Sequence, residues 1–509
     1  MENLRTDSRR SFLRNSGAAL LAGYAFSNRT GLAQTVARPD AARYQSVVIN
    51  THDYHPDGEI QERLDFPKDW VIDTVGTAGA KAIPLTSAQI LQKLRSPIGS
   101  KSLGDIAAGK KNACITFDDA SRPTNFALVA EQVINELNAA GIDDQHILFI
   151  GATGSHDDMH AVVARQKLGA AVYSRCPWLP HQPLDNSVKV GRTSWNNMIE
   201  VNGYFAKSDV KILMGSIRTH AGYVFGGGPK GIIPGITSVE TIYYNHAVVG
   251  GINRGNRSFE GDQRAQDPSS VVELLEKMQG GTYNRRADAL EASRLAAVDF
   301  SINIVQNQTR QVIDLYCGDV NEAHLAACVP ANDMQCYDHA VKAGENDIVI
   351  VNSYPTSMVP PGFGSPREGG ISIVILQSPV AGEFHKLHEH GQWDLQAWQT
   401  TRINAGRVAN YRRIYLSQYV GKMQYLNTAN QEIYPTWDKI LPILEQNMKT
   451  GAKVLLYPSN GNMWNKVAPR AAAAPGAGGA TGAAGAARQG GAAGGAAGAA
   501  GGARQGGGQ

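Results

Sequence analysis

Ala113-Cys114-Ile115-Thr116-Phe117-Asp118-Asp119-Ala120-Ser121-Arg122-Pro123-Thr124 is the stretch from which the fold can be read. Ala113–Phe117 is a near-continuous apolar run of strand length, as expected where both faces of a strand are buried. Polar residues follow at once. From Thr124 to Ala140 the residues Phe126, Val129, Val133, Ile134 and Leu137 recur at helical spacing, and Gly141 is placed to stop the helix. His146–Ala152 then repeats the strand pattern. Strand, helix and strand in that order predict a parallel α/β sheet, in which ligands gather at the carboxyl ends of the strands. Outward from this unit, Val210–Ser216, Asp347–Asn352, Ile371–Leu376 and Lys453–Tyr457 predict further buried strands. There is no internal repeat. The expected fold class is α/β with mostly parallel sheets, a second α/β unit starting between His324 and Gly344 and running to about Pro458.

The 509 residues have room for two or three such domains. With 48 Lys+Arg against 45 Asp+Glu, the formal charge of +3 gives neither a nucleic-acid footprint nor a polybasic membrane patch. The hydrophobic fraction of 42% is too low for a multi-span membrane protein. The five cysteines, Cys114, Cys176, Cys317, Cys328 and Cys336, are odd in number and contain no CxxC pair, which argues against a disulfide scaffold and a zinc ribbon.

Both ends read differently from the middle. Residues 471–509 hold 15 Gly and 17 Ala, too little apolar side chain to offset the entropy of ordering, and are expected to be a disordered tail. Ser8-Arg9-Arg10-Ser11-Phe12-Leu13 precedes a modest apolar run from Ser16 to Phe26, and Gly31-Leu32-Ala33 supplies small residues at a cleavage position. That is the pattern of a twin-arginine export signal, expected over residues 1–33; the alternative is a plain basic N-terminus. The run falls short of the ~20 apolar residues that span a bilayer. Export by the twin-arginine translocase would place the protein in the periplasm or otherwise outside the cytoplasm. That route carries folded proteins, often already loaded with a cofactor.

The chemistry-bearing residues follow the strand ends. Arg122, beside Ser121, is placed to take a carboxylate or phosphate through its planar fork, or to pair with Asp118 or Asp119. His156, in the loop Thr153-Gly154-Ser155-His156, is a general base, a metal ligand or a plain loop histidine. The stretch from His220 to Lys230 carries Gly226-Gly227-Gly228-Pro229, a backbone that can approach a ligand closely and then turn. Lys230 emerges from that turn with an amine able to meet a ligand or form a covalent bond. It is followed by Gly231, so this is not a phosphate-binding Walker loop. His246, behind Pro234-Gly235 and a short helix, is a metal ligand or a satisfied buried histidine. His385, His388 and His390 lack the carboxylate of a metalloprotease motif and read as a polar face, as do His52 and His55.

Taken together these clusters resemble the lactate racemase family that uses the nickel-pincer nucleotide. The motifs are Asp118-Asp119-x-Ser121-Arg122-Pro123-Thr124, Ala152-Thr153-Gly154-Ser155-His156, His220 through Gly228-Pro229-Lys230, and Ile233-Pro234-Gly235 leading to Asn245-His246. The resemblance runs from about residue 45 to 460. It implies two α/β domains, at 45–325 and 326–460, with the cofactor in the cleft between them. The cofactor implied is a Ni(II) pyridinium-3,5-bisthiocarboxylic acid mononucleotide, joined covalently to Lys230. The resemblance also implies His246 as the protein ligand to nickel, His156 and His220 as alternating general acid/bases, Arg122 with Ser121 as substrate-binding residues, and Asp119, Gly227 and Gly228 as cofactor-binding residues. Trp393 or Trp398 would supply an aromatic wall, Trp393 being the assignment made. The activity implied is racemisation or epimerisation of a small-molecule 2-hydroxy acid, with cofactor-assembly enzymes as partners during maturation.

The sequence departs from the family pattern in two places. Ser353-Tyr354-Pro355 is followed by Thr356-Ser357-Met358-Val359-Pro360-Pro361-Gly362-Phe363-Gly364-Ser365-Pro366-Arg367, whose prolines and glycines argue against the family's helix bearing Gln and Lys. The second cationic clamp is therefore expected to be lost or replaced by Arg367. Asp157-Asp158 follows His156 where relatives carry Arg-Pro. Both changes point to a substrate other than lactate, larger or less anionic. The competing readings are a non-catalytic periplasmic binding protein of the same fold and a redox enzyme that does not return the hydride.

Overall fold

The computed structural model describes residues 42–52, 60–156, 159–220, 223–249, 283–338, 344–356, 365–378, 410–419 and 432–463. The expected export signal, the Ala/Gly tail, Trp393, Trp398, His55, Asp157, Asp158 and the His385 cluster lie outside these residues. Among the described residues no helix is long and apolar enough to cross a membrane.

Among the described residues two six-stranded sheets form the framework. The first has the order Val312–Gly318, Phe300–Gln306, Val210–Ser216, Ala113–Asp118, Ile147–Ala152, Trp178–Pro180, and only the edge strand Val312–Gly318 runs antiparallel to its neighbour. The chain lays strands to one side of Ala113–Asp118 and then returns to build outward on the other. The carboxyl end of that strand is therefore a topological switch point, where a crevice opens between diverging loops. Alternation along the strand sends Ile115 and Phe117 into a core with Val129, Val133 and Phe149. Cys114 faces the other way, into a core with Ile150, Leu213, Tyr223 and Ile236. Burial on both faces is what the near-continuous apolar run predicted.

The helix after the first strand begins at Ala127, later than the Thr124 expected, and ends at Ala139. The delay has a chemical cause: Thr124 Oγ1 donates to Asp118 Oδ2 (2.5 Å) and lies 2.6 Å from Ser216 Oγ, which commits residues 119–126 to a loop folded back on the strand end.

The second sheet is fully parallel, in the order Glu432–Tyr434, Arg412–Leu416, Ile371–Ile375, Ile348–Asn352, Lys453–Tyr457, Val71–Thr74. Its last strand comes from the N-terminal part of the chain. Val71–Thr74 pairs with Lys453–Tyr457, and the hairpin Tyr44–His52/Ile60–Pro67 packs Ile49, Leu64 and Phe66 onto Ile348, Ile371 and Trp437 of the second core. Trp437 Nε1 donates to Asp65 O (3.0 Å), and its ring meets Phe66 edge-on at 5.3 Å. The segment from 44 to 74 thus belongs with the C-terminal sheet. Short strands with one exposed face, such as Val71–Thr74, carry too little apolar pattern to betray a partner nearly four hundred residues away. The sheets are tied through the turn after Phe300–Gln306: Ser459 Oγ donates to Gln308 O (2.5 Å), and the Arg310 guanidinium lies 6.0 Å from the Tyr354 ring centroid.

Candidate functional site

At the switch point a pocket is lined by Asp118, Asp119 and Arg122 from the first strand end and by Thr153 and His156 from the next. Gly215 and Ser216 of Val210–Ser216, with Gly227, Gly228 and Lys230, close the other side. Residues of all four sequence motifs therefore line this pocket, though His220 and His246 are not among its lining residues.

Asp119 is the hinge of the first cluster. His156 Nδ1–H donates to Asp119 Oδ2 at 2.5 Å, Ser121 Oγ donates to Asp119 Oδ1 at 2.6 Å, and Arg122 Nη1 donates to Ser121 Oγ at 2.7 Å. Burial alone would push the Asp119 carboxyl up, but His156, Arg122 and Ser121 outweigh it and hold the group well below the usual carboxylate range. A carboxylate fixed on Nδ1 sets the tautomer, leaves Nε2 as the basic atom and favours the imidazolium once a proton arrives. The loop itself is pinned by Lys167, whose buried amine donates to Asp118 Oδ1 (2.6 Å) and Arg122 O (2.7 Å). Lys167 was missed at the sequence level; its signal was a charge on a helical face otherwise made of Val163, Ala164, Leu168 and Val172.

The second cluster is arranged around Tyr223. Its ring lies 4.3 Å from Lys230 Nζ, meets His220 edge-on at 5.5 Å and sits 6.1 Å from the His246 ring. Its hydroxyl donates to Asn245 Oδ1 (2.6 Å), and Asn245 Nδ2 donates to Asp288 Oδ2 (2.8 Å). Neither Tyr223 nor Asp288 was singled out from sequence.

Lys230 stands on a 3-10 turn, Gly228–Gly231, entered through Gly227 (φ 81°) and Gly228 (φ 50°). A Cβ on Gly228 would sit 2.6 Å from the His324 ring, so the third glycine is required by close approach as well as by conformation. His324 Nε2 donates to Gly226 O (3.0 Å), and burial first, then Arg286, pushes that imidazole down to about 3. Desolvation also depresses Lys230 well below the ordinary lysine value, with Arg122, Arg285 and Arg218 adding to it, which raises the nucleophilic free-amine share. His220 is depressed by desolvation and then by Lys230, Arg122 and Arg218.

His246 lies on a π-helical turn, Tyr244–Val249, that follows the helix Val239–Tyr243. Such turns recur at functional sites because they re-aim one side chain. Its Nδ1–H donates to Ile242 O (3.0 Å), and Arg285 Nη2 donates to His246 O (2.8 Å). A neutral ring tied through Nδ1 presents Nε2 as a metal donor. Burial, followed by Arg285 and Lys230, lowers the basicity of this imidazole and favours its neutral form. Among the described residues no three His, Cys, Asp or Glu side chains form a metal cage. A metal at His246 would take its remaining donors from a bound group.

Arg367 does not take part. Its Nε donates to Asp347 Oδ1 (2.5 Å) just ahead of the strand Ile348–Asn352, at the amino end of the second sheet, whereas the pocket lies at carboxyl ends. It ties two strand starts together and cannot replace a substrate clamp.

Residues 58–257 match the Lactate racemase N-terminal domain. Over this segment the chain is similar to the lactate racemase family. It is 24% identical over 336 residues to the lactate racemase of Thermoanaerobacterium thermosaccharolyticum, covering 63% of this chain and 73% of that protein. It is 27% identical over 247 residues to the lactate racemase of Lactiplantibacillus plantarum, covering 48% of this chain and 54% of that one. In structure the chain resembles the lactate racemase apoprotein of T. thermosaccharolyticum, with a TM-score of 0.53 at 19% identity over 83% of this chain and 100% of that one. A protein from Thermotoga maritima has a TM-score of 0.50 at 17% identity, over 75% and 99% of the two chains. At these identities the structural likenesses establish the fold. Both α/β sheets, and not the N-terminal one alone, are therefore shared with the lactate racemase architecture.

Proposed function

We propose that the protein is a racemase or epimerase of a 2-hydroxy acid that works on a nickel-pincer nucleotide held at Lys230 and His246, in a cleft between the two α/β domains. The observation that carries this reading is the gathering of His156, backed by Asp119, and of desolvated His220, Lys230 and His246 at a single switch point. The donor set fits the cofactor: an amine of lowered basicity suits a covalent attachment, and one imidazole Nε2 suits a metal whose other donors come from the bound group. When bound, that group supplies a hydride acceptor, which spares the chain from stabilising a carbanion beside a carboxylate.

The side chains then have proton work to do. His156 Nε2 takes the substrate hydroxyl proton, and Asp119 stabilises the imidazolium that forms. His220, whose basicity is lowered by desolvation and by the charges around it, does the same for the other enantiomer. Arg122, held in place by Ser121, orients the carboxylate through its guanidinium fork. Gly227 and Gly228 let the backbone approach the bound group. Trp393 remains our assignment for an aromatic wall. The Arg9-Arg10 motif supports export of the folded, loaded protein through the twin-arginine pathway, with cofactor-assembly enzymes acting beforehand.

The test is intact mass and nickel content of protein made alongside the cofactor-assembly enzymes. An adduct at Lys230 and about one nickel per chain are expected, and His246→Ala should lose the nickel. Neither adduct nor nickel would leave a binding protein of the same fold. With a loaded enzyme, a C2-deuterated hydroxy acid should keep its label in the inverted product; exchange of the label with solvent would point to proton abstraction.

A further inference from the structure

Two adjacent carboxylates at the first strand end do different work. Asp119 is bound to His156 and Ser121. Asp118 accepts from Thr124 Oγ1 on one oxygen and from Lys167 Nζ, 2.6 Å away, on the other. Lys167 reaches beyond that pair, because its amine also donates to the backbone carbonyls of Arg122 (2.7 Å) and Thr124 (3.4 Å). Its main chain grips the same loop: Lys167 O accepts from Phe126 N–H at 2.8 Å. An unbroken helix would spend that carbonyl on the amide four residues on. Here the helix Ala161–Arg175 leaves helical geometry at Gly169 (φ 77°, ψ 153°). A Cβ at Gly169 would lie 2.8 Å from the Ala127 Cβ, so the break also admits the start of the helix Ala127–Ala139.

The Lys167 side chain is buried and does not line the pocket, whereas Asp118 and Arg122 do. A buried ammonium is costly even when paired, and an apolar side chain of similar volume often serves stability as well or better. Its helical neighbours Val163, Ala164, Leu168 and Val172 are of that kind. The three acceptors that Lys167 serves all belong to the loop from Asp118 to Thr124, so its charge is spent on where that loop lies. We propose that Lys167 is a positioning residue for substrate binding. By holding the backbone at Arg122 and Thr124, it sets where the Arg122 side chain enters the pocket, with Asp118 as its counter-ion. The helix that carries it follows the His156 loop, so the same grip ties the two loops of the site together. This rests on the 2-hydroxy acid reading and deepens it.

Wild type, Lys167→Met and Lys167→Met/Asp118→Asn are compared. The single variant strands a largely buried carboxylate and should melt lower; the double variant removes both charges together and should keep the fold. Hydrogen exchange of the unloaded chains reads the loop directly. Peptides covering residues 119–126 should exchange about tenfold faster in the double variant, and those of Val210–Ser216 at the wild-type rate. Loaded enzymes are assayed with L-lactate, L-glycerate and L-mandelate. In the double variant KM should rise about tenfold while kcat stays within about threefold, as for a contact made equally in ground and transition states. The acid limb of the pH–rate profile should stay in place, because Asp119 and His156 are untouched. A loss in kcat as large as the rise in KM, a displaced acid limb or a double variant that does not fold would make Lys167 a structural residue and overturn the proposal. So would an unchanged KM or unchanged exchange of the loop. If wild type inverts none of the three acids, the racemase reading fails, and exchange of residues 119–126 alone decides whether Lys167 holds the loop.

Discussion

The amine of Lys230 lies 4.3 Å from the centroid of the Tyr223 ring, inside a desolvated cluster that also holds His220 and His246. An aromatic face attracts the ammonium form, but burial and the charges of Arg122, Arg285 and Arg218 pull the amine's basicity well below that of an ordinary lysine. The pH dependence of modification by a small acylating reagent, read peptide by peptide, checks this. Between pH 7 and 9 the rate at surface lysines should rise about tenfold per pH unit, following their free-base fraction. The rise at Lys230 should be flatter, because its basicity is lowered. A parallel rise at Lys230 would show an ordinary, protonated lysine.

The same depression has a sign in stability. A lysine whose folded pKa lies below its unfolded value binds more protons when unfolded, so its neutral burial destabilises the fold below the unfolded value near 10.5 and costs nothing above it. Lys230→Met is therefore expected to be more stable than wild type at pH 7, the difference shrinking as the pH rises toward 10.5. Denaturant unfolding at several pH values measures it. A variant less stable than wild type at pH 7 would mean that the charged form is accommodated.

Asp119→Asn keeps the shape of the network but removes the charge 2.5 Å from His156 Nδ1. Positioned acid–base groups contribute roughly 10²–10⁴-fold to rate, so kcat should fall by about 10²-fold or more. The protonated imidazole loses its partner, and the acid limb of the pH–rate profile should move to lower pH. Wild-type Asp119, with its folded pKa depressed, stabilises the fold fully above its unfolded value of 3.8, and that contribution is lost as pH falls toward the folded value. The stability gap between wild type and Asp119→Asn should accordingly narrow below about pH 4.

The sheet and half of the site were legible because their signals are local. Strands buried on both faces show as apolar runs, and Val210–Ser216 and Lys453–Tyr457 were located to the residue. Arg122, His156, His220, Lys230 and His246 stand out as polar groups just past such runs or near glycines. What escaped is what needs the third dimension. Val71–Thr74 crosses to the second sheet through pairing with Lys453–Tyr457, and no local pattern records that. Tyr223 and Asp288 look like ordinary core and helix residues until folding sets them behind the reactive groups.

Asp288 is the far anchor of the Tyr223 pillar. It is fully buried, and three groups donate to it: Thr193 Oγ1 (2.6 Å), Asn197 Nδ2 (2.8 Å) and Asn245 Nδ2 (2.8 Å). Asp288→Leu removes every one of these acceptors. Each buried donor left unsatisfied costs about 1–3 kcal/mol, so a loss of at least ~3 kcal/mol is expected in denaturant unfolding. Asp288→Asn can keep its oxygen toward the two amides and offer its amide to Thr193, so its cost should stay near ~1 kcal/mol. Asn245 holds Tyr223 and immediately precedes His246, so the two variants should part in nickel content as well. Asp288→Asn should retain the metal after gel filtration, and Asp288→Leu, where it folds at low temperature, should lose most of it. Equal nickel content in the two folded variants would mean that the π-helical turn sets His246 without help from this network.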